Sequence, residues 1–553
     1  MSKVPRFFDL PQLSVEGEAY SIRCDCSSLI ALLALPPSTD ERSYDVPYAA
    51  IHRLNNEILL DIFNCYRQDE ENGWNIRLGW CKLCHVCQRW RHLIRESTFH
   101  LGLQIQCTNG TATVDTLDHL PPLPLLVDYG CTTNVPITAK DELGIYHALR
   151  LHDRVRQITL RLPPSILHKC VVLMDEHFPI LENLSLSFKA SKLTTLTLPE
   201  GFTAPNLSHL ALPSIGPPKR LRVLSATPSL VTLALRNIQA SCYLRPRLLV
   251  ERLASLPQLE ELSIGFSIPI PRPSAERELL GGLGTPLTLP NLRTLRFRGV
   301  SIYLESLVAQ IRAPLLRCLD ITLFNQIAFS LPHLSHLINI TEALQLPAGK
   351  IFFGRQGVSL TTAHHDSHWS RPFLLCVICD QFDWQIDCAA QICSALIPTL
   401  SGVEELTLSF SDSVTPAEWE IDGTTWHELL RSFIGAKKLY IDDGLLTELS
   451  RALQVDEVGS EPGFLPNLEH IVAAGNLFAS FIDTRRVMGR PVQFSGRPRR
   501  LRRAKPMPRP PQPLSPASKR LSESSLSSPS SSPVFPYDDA DTMYESSEVK
   551  DHK

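Results

Sequence analysis

The sequence predicts an α/β chain: a short all-helical segment, then an irregular solenoid of strand-bearing repeats, then a tail that forms no core. Three observations predict it. The phrase Pro-x-Leu-x-x-Leu-x-apolar recurs through the middle of the chain, apolar residues recur at helical intervals near the N-terminus, and proline and serine dominate after residue 496. With 553 residues, 43% apolar content and a formal net charge of -3, the chain is long enough for more than one folded unit and shows no charge excess that implies a nucleic-acid partner. The longest apolar runs, Leu29 to Leu35 and Phe373 to Cys379, fall far short of the roughly 18 residues that suggest a membrane span.

Residues 1–47 form an N-terminal extension, partly disordered, in which short apolar pieces such as SSLIALLAL are separated by Pro36-Pro37. The opening MSKVPRFFDLPQLSVEGE lacks the charged-then-apolar layout of a secretory signal, so an intracellular protein is expected, cytoplasmic, nuclear or both. Fifteen cysteines, an odd number spread along a long chain, fit reduced thiols better than a disulfide framework.

Residues 48–101 read as a helical domain. In IHRLNNEILLDIFNCYRQ, residues Leu54, Ile58, Leu59, Ile62, Phe63 and Tyr66 recur at three- and four-residue intervals, which predicts one apolar helix face. Asn55 or Asn56 can cap its start, and Glu57 suits the first turn. After the polar interval RQDEENGWN, a second helix is expected from about Leu78 through WCKLCHVCQRWRHLI. Projection at 100° per residue puts Leu83, Val86, Cys87, Trp90, Leu93 and Ile94 on one side and Cys81, Cys84, His85 and Gln88 on the other. The cysteines are thereby divided. Zinc would need a fourth ligand beside Cys81, Cys84 and His85, with His100 the only candidate, so no metal is expected here.

Taken together, L-x-x-E-I-L-L-x-I-F, a variable loop and L-x-x-V-C-x-x-W-R-x-L resemble an F-box, the helical motif that docks on a Skp-type adaptor of a cullin ubiquitin ligase. The matching residues are Leu54, Glu57, Ile58, Leu59, Leu60, Ile62, Phe63, Leu83, Val86, Cys87, Trp90 and Arg91, under a tenth of the chain. The family usually has proline where Asn55 stands. The resemblance implies that Leu54, Glu57, Ile58, Leu59, Ile62, Phe63, Val86 and Trp90 face the adaptor. The segment that follows also looks like the one trailing the F-box in many fungal F-box proteins, a family that commonly carries degenerate leucine-rich repeats.

Residues 102–150 are expected to connect this domain to the repeats, and 151–485 to form the solenoid. The repeat phrase appears as PILENLSL, PNLSHLAL, PSLVTLAL, PQLEELSI, PNLRTLRF, PLLRCLDI and PNLEHIVA, beginning at Pro179, Pro205, Pro228, Pro257, Pro290, Pro314 and Pro466. Looser copies start at Val155, Val403 and Ala436, making ten units with a blurred interval from about 325 to 400. Each unit is a short strand whose leucines cannot be buried alone, so the units must stack. They resemble leucine-rich repeats without the family's buried Asn or Cys, because Lys189, Ile215, Ile238, Ser267 and Val300 stand at that position. Side chains between the leucines point to the opposite, concave face, which nominates Arg236, Glu261, Arg296, Arg298 and Asp320 for target binding, though solvated charge explains any one of them equally.

Residues 486–553 are expected to be a disordered tail, with ten prolines and ten serines between Arg497 and Pro536. Its basic start, RPRRLRRAKPMPR, reads as an import signal or as solvated linker charge.

Catalytic constellations are missing from the sequence: no phosphate-binding G-x-x-x-x-G-K-[ST], no H-E-x-x-H and no G-x-S-x-G. HHDSH at 364–368 reads as a polar loop, and Cys376, Cys379, Cys388 and Cys393 read as packing thiols. No cofactor is expected. Two functions follow: a non-catalytic substrate receptor of an SCF-type ligase, with an adaptor, a cullin scaffold and an unidentified target as partners, or an interaction scaffold whose helices merely cap the repeats. An enzyme ranks third.

Overall fold

The computed structural model describes residues 54–496 apart from 72–82, most of 111–121, 131–135, 189–195, 218–221, 270–285, 363–371, 412–422, 455–464 and a few single positions. The expected N-terminal extension, residues 497–553 of the expected tail and the HHDSH stretch lie outside the described residues. Residues 486–496, expected to belong to the disordered tail, are instead ordered: they complete the helix Ala479–Val487 and form the strand Gln493–Gly496, which pairs with His470–Ala473.

A residue that is apolar in all but one case (Thr227), a proline and two residues further a leucine build the same turn in every full repeat. The Leu181 amide donates to the Phe178 carbonyl, Leu207 to Ala204, Leu230 to Thr227, Leu259 to Leu256, Leu292 to Leu289, Leu316 to Ala313 and Leu468 to Leu465. Proline is the second residue of each turn, where its fixed φ suits the geometry. The turn leucine and the next two apolar positions, such as Leu181, Leu184 and Leu186, are all buried, which turns the phrase directly into a strand with one inward face.

Strands follow in this order. The first seven are β1 (Ile105–Thr108), β2 (Leu125–Tyr129), β3 (Val155–Leu162), β4 (Asn183–Phe188), β5 (His209–Pro213), β6 (Thr232–Ile238) and β7 (Glu261–Phe266). Then come β8 (Leu287–Thr288), β9 (Thr294–Gly299), β10 (Ile311–Arg312), β11 (Cys318–Phe324), β12 (Ala348–Gly354), β13 (Gly357–Thr362) and β14 (Phe373–Ile378). The last are β15 (Glu405–Phe410), β16 (Lys438–Ile441), β17 (His470–Ala473) and β18 (Gln493–Gly496). All but β8 and β10, which pair with each other, join one 16-stranded sheet in the order β1-β2-β3-β4-β5-β6-β7-β9-β11-β14-β13-β12-β15-β16-β17-β18. This is an irregular leucine-rich-repeat solenoid of α/β type, parallel except around β13.

All ten repeat phrases become strands of this sheet. Six further strands, β1, β2, β12, β13, β14 and β18, carry no phrase. The sheet therefore starts at Ile105 and ends at Gly496, so the segment expected to be a connector, 102–150, supplies two strands and the capped helix Ala139–Arg150. The blurred interval is explained by an insertion. From β11 the chain passes over two strand positions to β12, turns back through β13, and returns as β14 beside β11. Gly354 and Gly357 close this hairpin; Gly357 has φ +152°, and a Cβ there would lie 1.9 Å from the Val377 carbonyl oxygen.

Adjacent repeats are tied by main chain ahead of the strands. The Glu182 carbonyl accepts from both Ser208 and His209, Val231 from Glu260 and Glu261, Glu260 from Arg293 and Thr294, and Lys437 from Glu469 and His470. Side chains reinforce the same seam. Asn206 donates to the Pro179 carbonyl at 2.7 Å, Asn291 to Pro257 at 3.0 Å and Asn467 to Ile434 at 3.0 Å. Ion pairs cross it too: Arg156 with Glu182, Arg293 with Glu260, and Lys437 with Glu404. At the family's usual ladder position Ile215, Ile238 and Val300 are apolar and buried, while Ser267 Oγ donates to the Ile238 carbonyl at 3.2 Å.

One buried carboxylate secures the helix after β11. Glu305 accepts from the amides of His333 (2.8 Å) and Leu334 (3.0 Å) at the start of helix Pro332–Ile340. Burial raises the Glu305 pKa against these two donors. Because the folded-state value lies above the ordinary one, this group's contribution is fully present below about pH 4.5 and diminishes as pH rises through the raised value. Glu305→Ala should cost about 2 kcal/mol in urea unfolding by orphaning buried donors. Glu305→Gln should cost less, and its deficit should shrink as pH is raised above 4.5.

Candidate interaction surfaces

The helix Asn56–Glu71 starts at Asn55, whose side-chain oxygen accepts from the Ile58 amide at 2.8 Å. Its apolar residues form two neighbouring stripes rather than one buried face. Leu59 and Phe63 are buried, whereas Ile58 and Ile62 are 45% and 40% exposed. An apolar stripe this wide exceeds what one partner helix can cover.

The second helix runs from Gln88 to Glu96, not from Leu78, because Cys87 is extended (φ -159°, ψ 169°) and stands as its N-cap residue. A single helical projection therefore fails across this stretch. Cys84, expected on the polar side, is buried, and Val86, expected on the apolar side, is 58% exposed. Cys87 is half-buried and packs against the core as expected of a thiol on the apolar side. Burial pushes the Cys84 thiol up to about 11, against the pull of Arg91 and Arg95, so it stays protonated at neutral pH. Cys81 and His85 lie outside the described residues.

The two helices are clamped from both sides. Phe63 and Trp90 meet edge to face with centroids 4.7 Å apart, and Leu93 and Ile94 are buried behind them. On the rim, the Arg89 guanidinium donates to the Leu54 carbonyl at 2.6 Å and to Asn56 Oδ1 at 2.8 Å, and Arg91 Nε donates to the Cys84 carbonyl at 3.1 Å. Arg89 was not singled out by the sequence reading; its signal was a basic residue on the polar side of the helix, next to Trp90. Of the eight residues the F-box resemblance nominates, Leu59, Phe63 and Trp90 are buried inside the segment, Leu54 is half-buried, and Glu57, Ile58, Ile62 and Val86 are exposed.

The second surface is the sheet face opposite the buried leucines. Strand register places Ser263 of β7 beside Arg296 of β9 and Arg296 beside Asp320 of β11, while Gly265 pairs with Arg298 and Arg298 with Thr322. All five nominated residues thus share one face of four neighbouring strands. Arg296 pairs with Glu261 at 3.4 Å, Arg236 Nε donates to Ser263 Oγ at 3.1 Å, and the Arg298 guanidinium lies 5.7 Å from the Phe324 ring centre. The Asp320 pKa is raised by burial, which outweighs the opposing pull of Arg296 and Arg236. Towards the N-terminal end, Thr159, Ser185, Ala211 and Ala234 continue the row with small neutral side chains.

Among the described residues no three His, Cys, Asp or Glu side chains are grouped to hold a metal ion. Cys376 lies on β14, while Cys388 and Cys393 lie on helix Phe382–Ala395. Asn325 Oδ1 accepts from the Cys388 thiol at 3.3 Å, and burial raises the Cys388 pKa to about 12, with Cys379 and Asp387 adding to the rise. These thiols pack and hydrogen-bond rather than ionise.

No family profile and no curated protein matches this chain. Among solved structures it is similar to the leucine-rich repeat-containing protein LegL7 from Legionella pneumophila, with 11% identity, TM-score 0.24, and coverage of 71% of this chain and 99% of that one. It is also similar to a structure described as the Rad7 and Elc1 complex in yeast, with 13% identity, TM-score 0.25, and coverage of 80% and 93%. The fold assignment rests on the strand register and the turn chemistry of the chain itself.

The two stripes of the first helix make opposite predictions. Phe63→Ala should lower stability by about 3–5 kcal/mol, as emptying an aromatic core site does. Ile62→Asp should shift it by no more than about 0.5 kcal/mol, because the side chain already meets solvent. Thermal unfolding of the full chain separates the two.

Proposed function

We propose that this chain is a non-catalytic substrate-recognition subunit of an SCF-type cullin ubiquitin ligase. The helical segment docks on a Skp-type adaptor, and the open sheet face holds the protein to be modified. The observation that carries this reading is the exposed set Ile58, Ile62 and Val86 on a helix pair whose inner side is already filled by Leu59, Phe63 and Trp90. Exposed β-branched residues at i and i+4 of the first helix, with a third in the turn that precedes the second, favour a protein partner over solvent. The mechanism is proximity: a target held beside a charged conjugating enzyme presents its lysines at high effective concentration, and no residue of this chain takes part in bond making.

A second reading has its own support. Leu59, Phe63, Trp90, Leu93 and Ile94 belong to the same continuous apolar core as the repeats. Solenoids need a cap at each end, so the segment also suits a purely structural role in an interaction scaffold. The readings differ in what the outer stripe does.

Capture of a purified Skp-type adaptor by the full chain, with an established F-box protein as positive control, decides between them. The ligase reading expects capture by the native chain and its loss with Ile62→Asp, since docking would bury an unpaired charge. Failure of the native chain to capture adaptor, while the control succeeds, leaves the scaffold reading.

A further inference from the structure

We infer that the open sheet face carries an oxyanion-binding site, centred on Arg236 and Arg298, that selects targets through an acidic side chain, either a carboxylate or a phosphate. The inference rests on the reading that this face engages a target.

Arg236 on β6 and Arg298 on β9 are both exposed, and neither has a carboxylate partner among the described residues. Arg236 uses only Nε, on Ser263. Its two terminal nitrogens remain available for the two-point contact that guanidinium makes with carboxylate or phosphate. Arg298 is steadied by the Phe324 ring, whose centre lies 5.7 Å from the guanidinium carbon, a contact that uses none of its N–H donors in a hydrogen bond. Between the two arginines stands Gly265, paired with Arg298 across the β7–β9 ladder. A Cβ on Gly265 would sit 3.4 Å from Arg298 Cβ and 3.7 Å from Arg236 Cα, so at this position the strand between the arginines offers no side chain to compete for a ligand. The two lie two strand steps apart, about 9.5 Å, close enough for long side chains to share one anion.

The nearby carboxylates do not cancel this charge. Glu261 is taken by Arg296. Asp320 is the remaining acid of the cluster, and counting it the five residues Arg236, Glu261, Arg296, Arg298 and Asp320 still carry one positive charge more than negative. Position adds to charge: the row Thr159, Ser185, Ala211 and Ala234 leads to Ser263 with small neutral side chains, so an extended segment of a target can lie along it and reach the cluster.

The test selects binders to the full chain from a displayed library of random 12-residue peptides. Enriched peptides are then synthesised with the acidic position as glutamate, phosphoserine or glutamine, and titrated by fluorescence anisotropy. Enrichment in Asp and Glu is expected, with the glutamine form at least about tenfold weaker and binding falling as salt is raised. A tighter phosphoserine form identifies phosphate as the preferred source, and a tighter glutamate form identifies carboxylate. Arg236→Glu with Arg298→Glu should abolish binding of the acidic peptides and favour Lys-bearing ones, whereas Arg161→Glu, on β3 of the same sheet, should leave binding unchanged. Adaptor capture measured on the same double variant reports independently on the ligase reading and on folding. Peptides without acidic excess, or undiminished binding of the acidic peptides by the double variant, overturn the inference, whatever the outcome of adaptor capture.

Discussion

Through most of the array each repeat depends on the one before it, through a carbonyl that accepts two amides at once. The carbonyl just ahead of a strand, as at Glu182, Val231, Glu260 and Lys437, receives the two amides that open the next strand. That contact fixes register, and register decides which side chains are buried, since a slip by one residue would turn each strand's leucines to solvent. The proline turn delivers the leucine into the core just before this point. Asparagine or serine after the proline then reaches back to the preceding repeat, as Asn206 and Ser229 do. The usual buried ladder of the fold is thus replaced by a seam at the strand entrances, with Ile215, Ile238 and Val300 filling three of the vacated positions.

Function is divided along the same geometry. Because the leucines consume one face of the sheet, the other is free to vary without cost to the core, and it carries the arginine cluster. The helical segment repeats this logic on a smaller scale. Phe63 and Trp90 hold the two helices together, which fixes the positions of Ile58 and Ile62 on the outside. Adaptor docking and target binding, on the proposed reading, use surfaces that the core has no need of.

Much of this was legible in the sequence, and the failures have physical causes. The repeat phrase located ten of the sixteen sheet strands because proline and leucine positions are dictated by the turn. The other six lacked the phrase: β1 and β2 precede the first turn, β18 closes the sheet, and β12 to β14 are built from a hairpin whose reversed strand cannot follow the repeat rule. The five residues nominated on the open face came together because alternation along a strand is a strict period of two. Helical periodicity was less reliable. Val86 and Cys84 were assigned to the wrong sides because extended backbone at Cys87 interrupts the helix, and nothing in a 100° projection reports such a break. Six apolar residues on the first helix likewise looked like a single core face, when only part of the stripe had a partner within the chain.

The central claim is that the outer stripe of the helical segment is a docking surface and the inner stripe is core. Hydrogen–deuterium exchange of the full chain, with and without saturating Skp-type adaptor, tests it most directly. The account predicts new protection confined to peptides covering 54–66 and 83–96, with the strands from β3 to β11 unchanged. Protection appearing on those strands instead, or no change in the helical peptides while adaptor is bound, would contradict it.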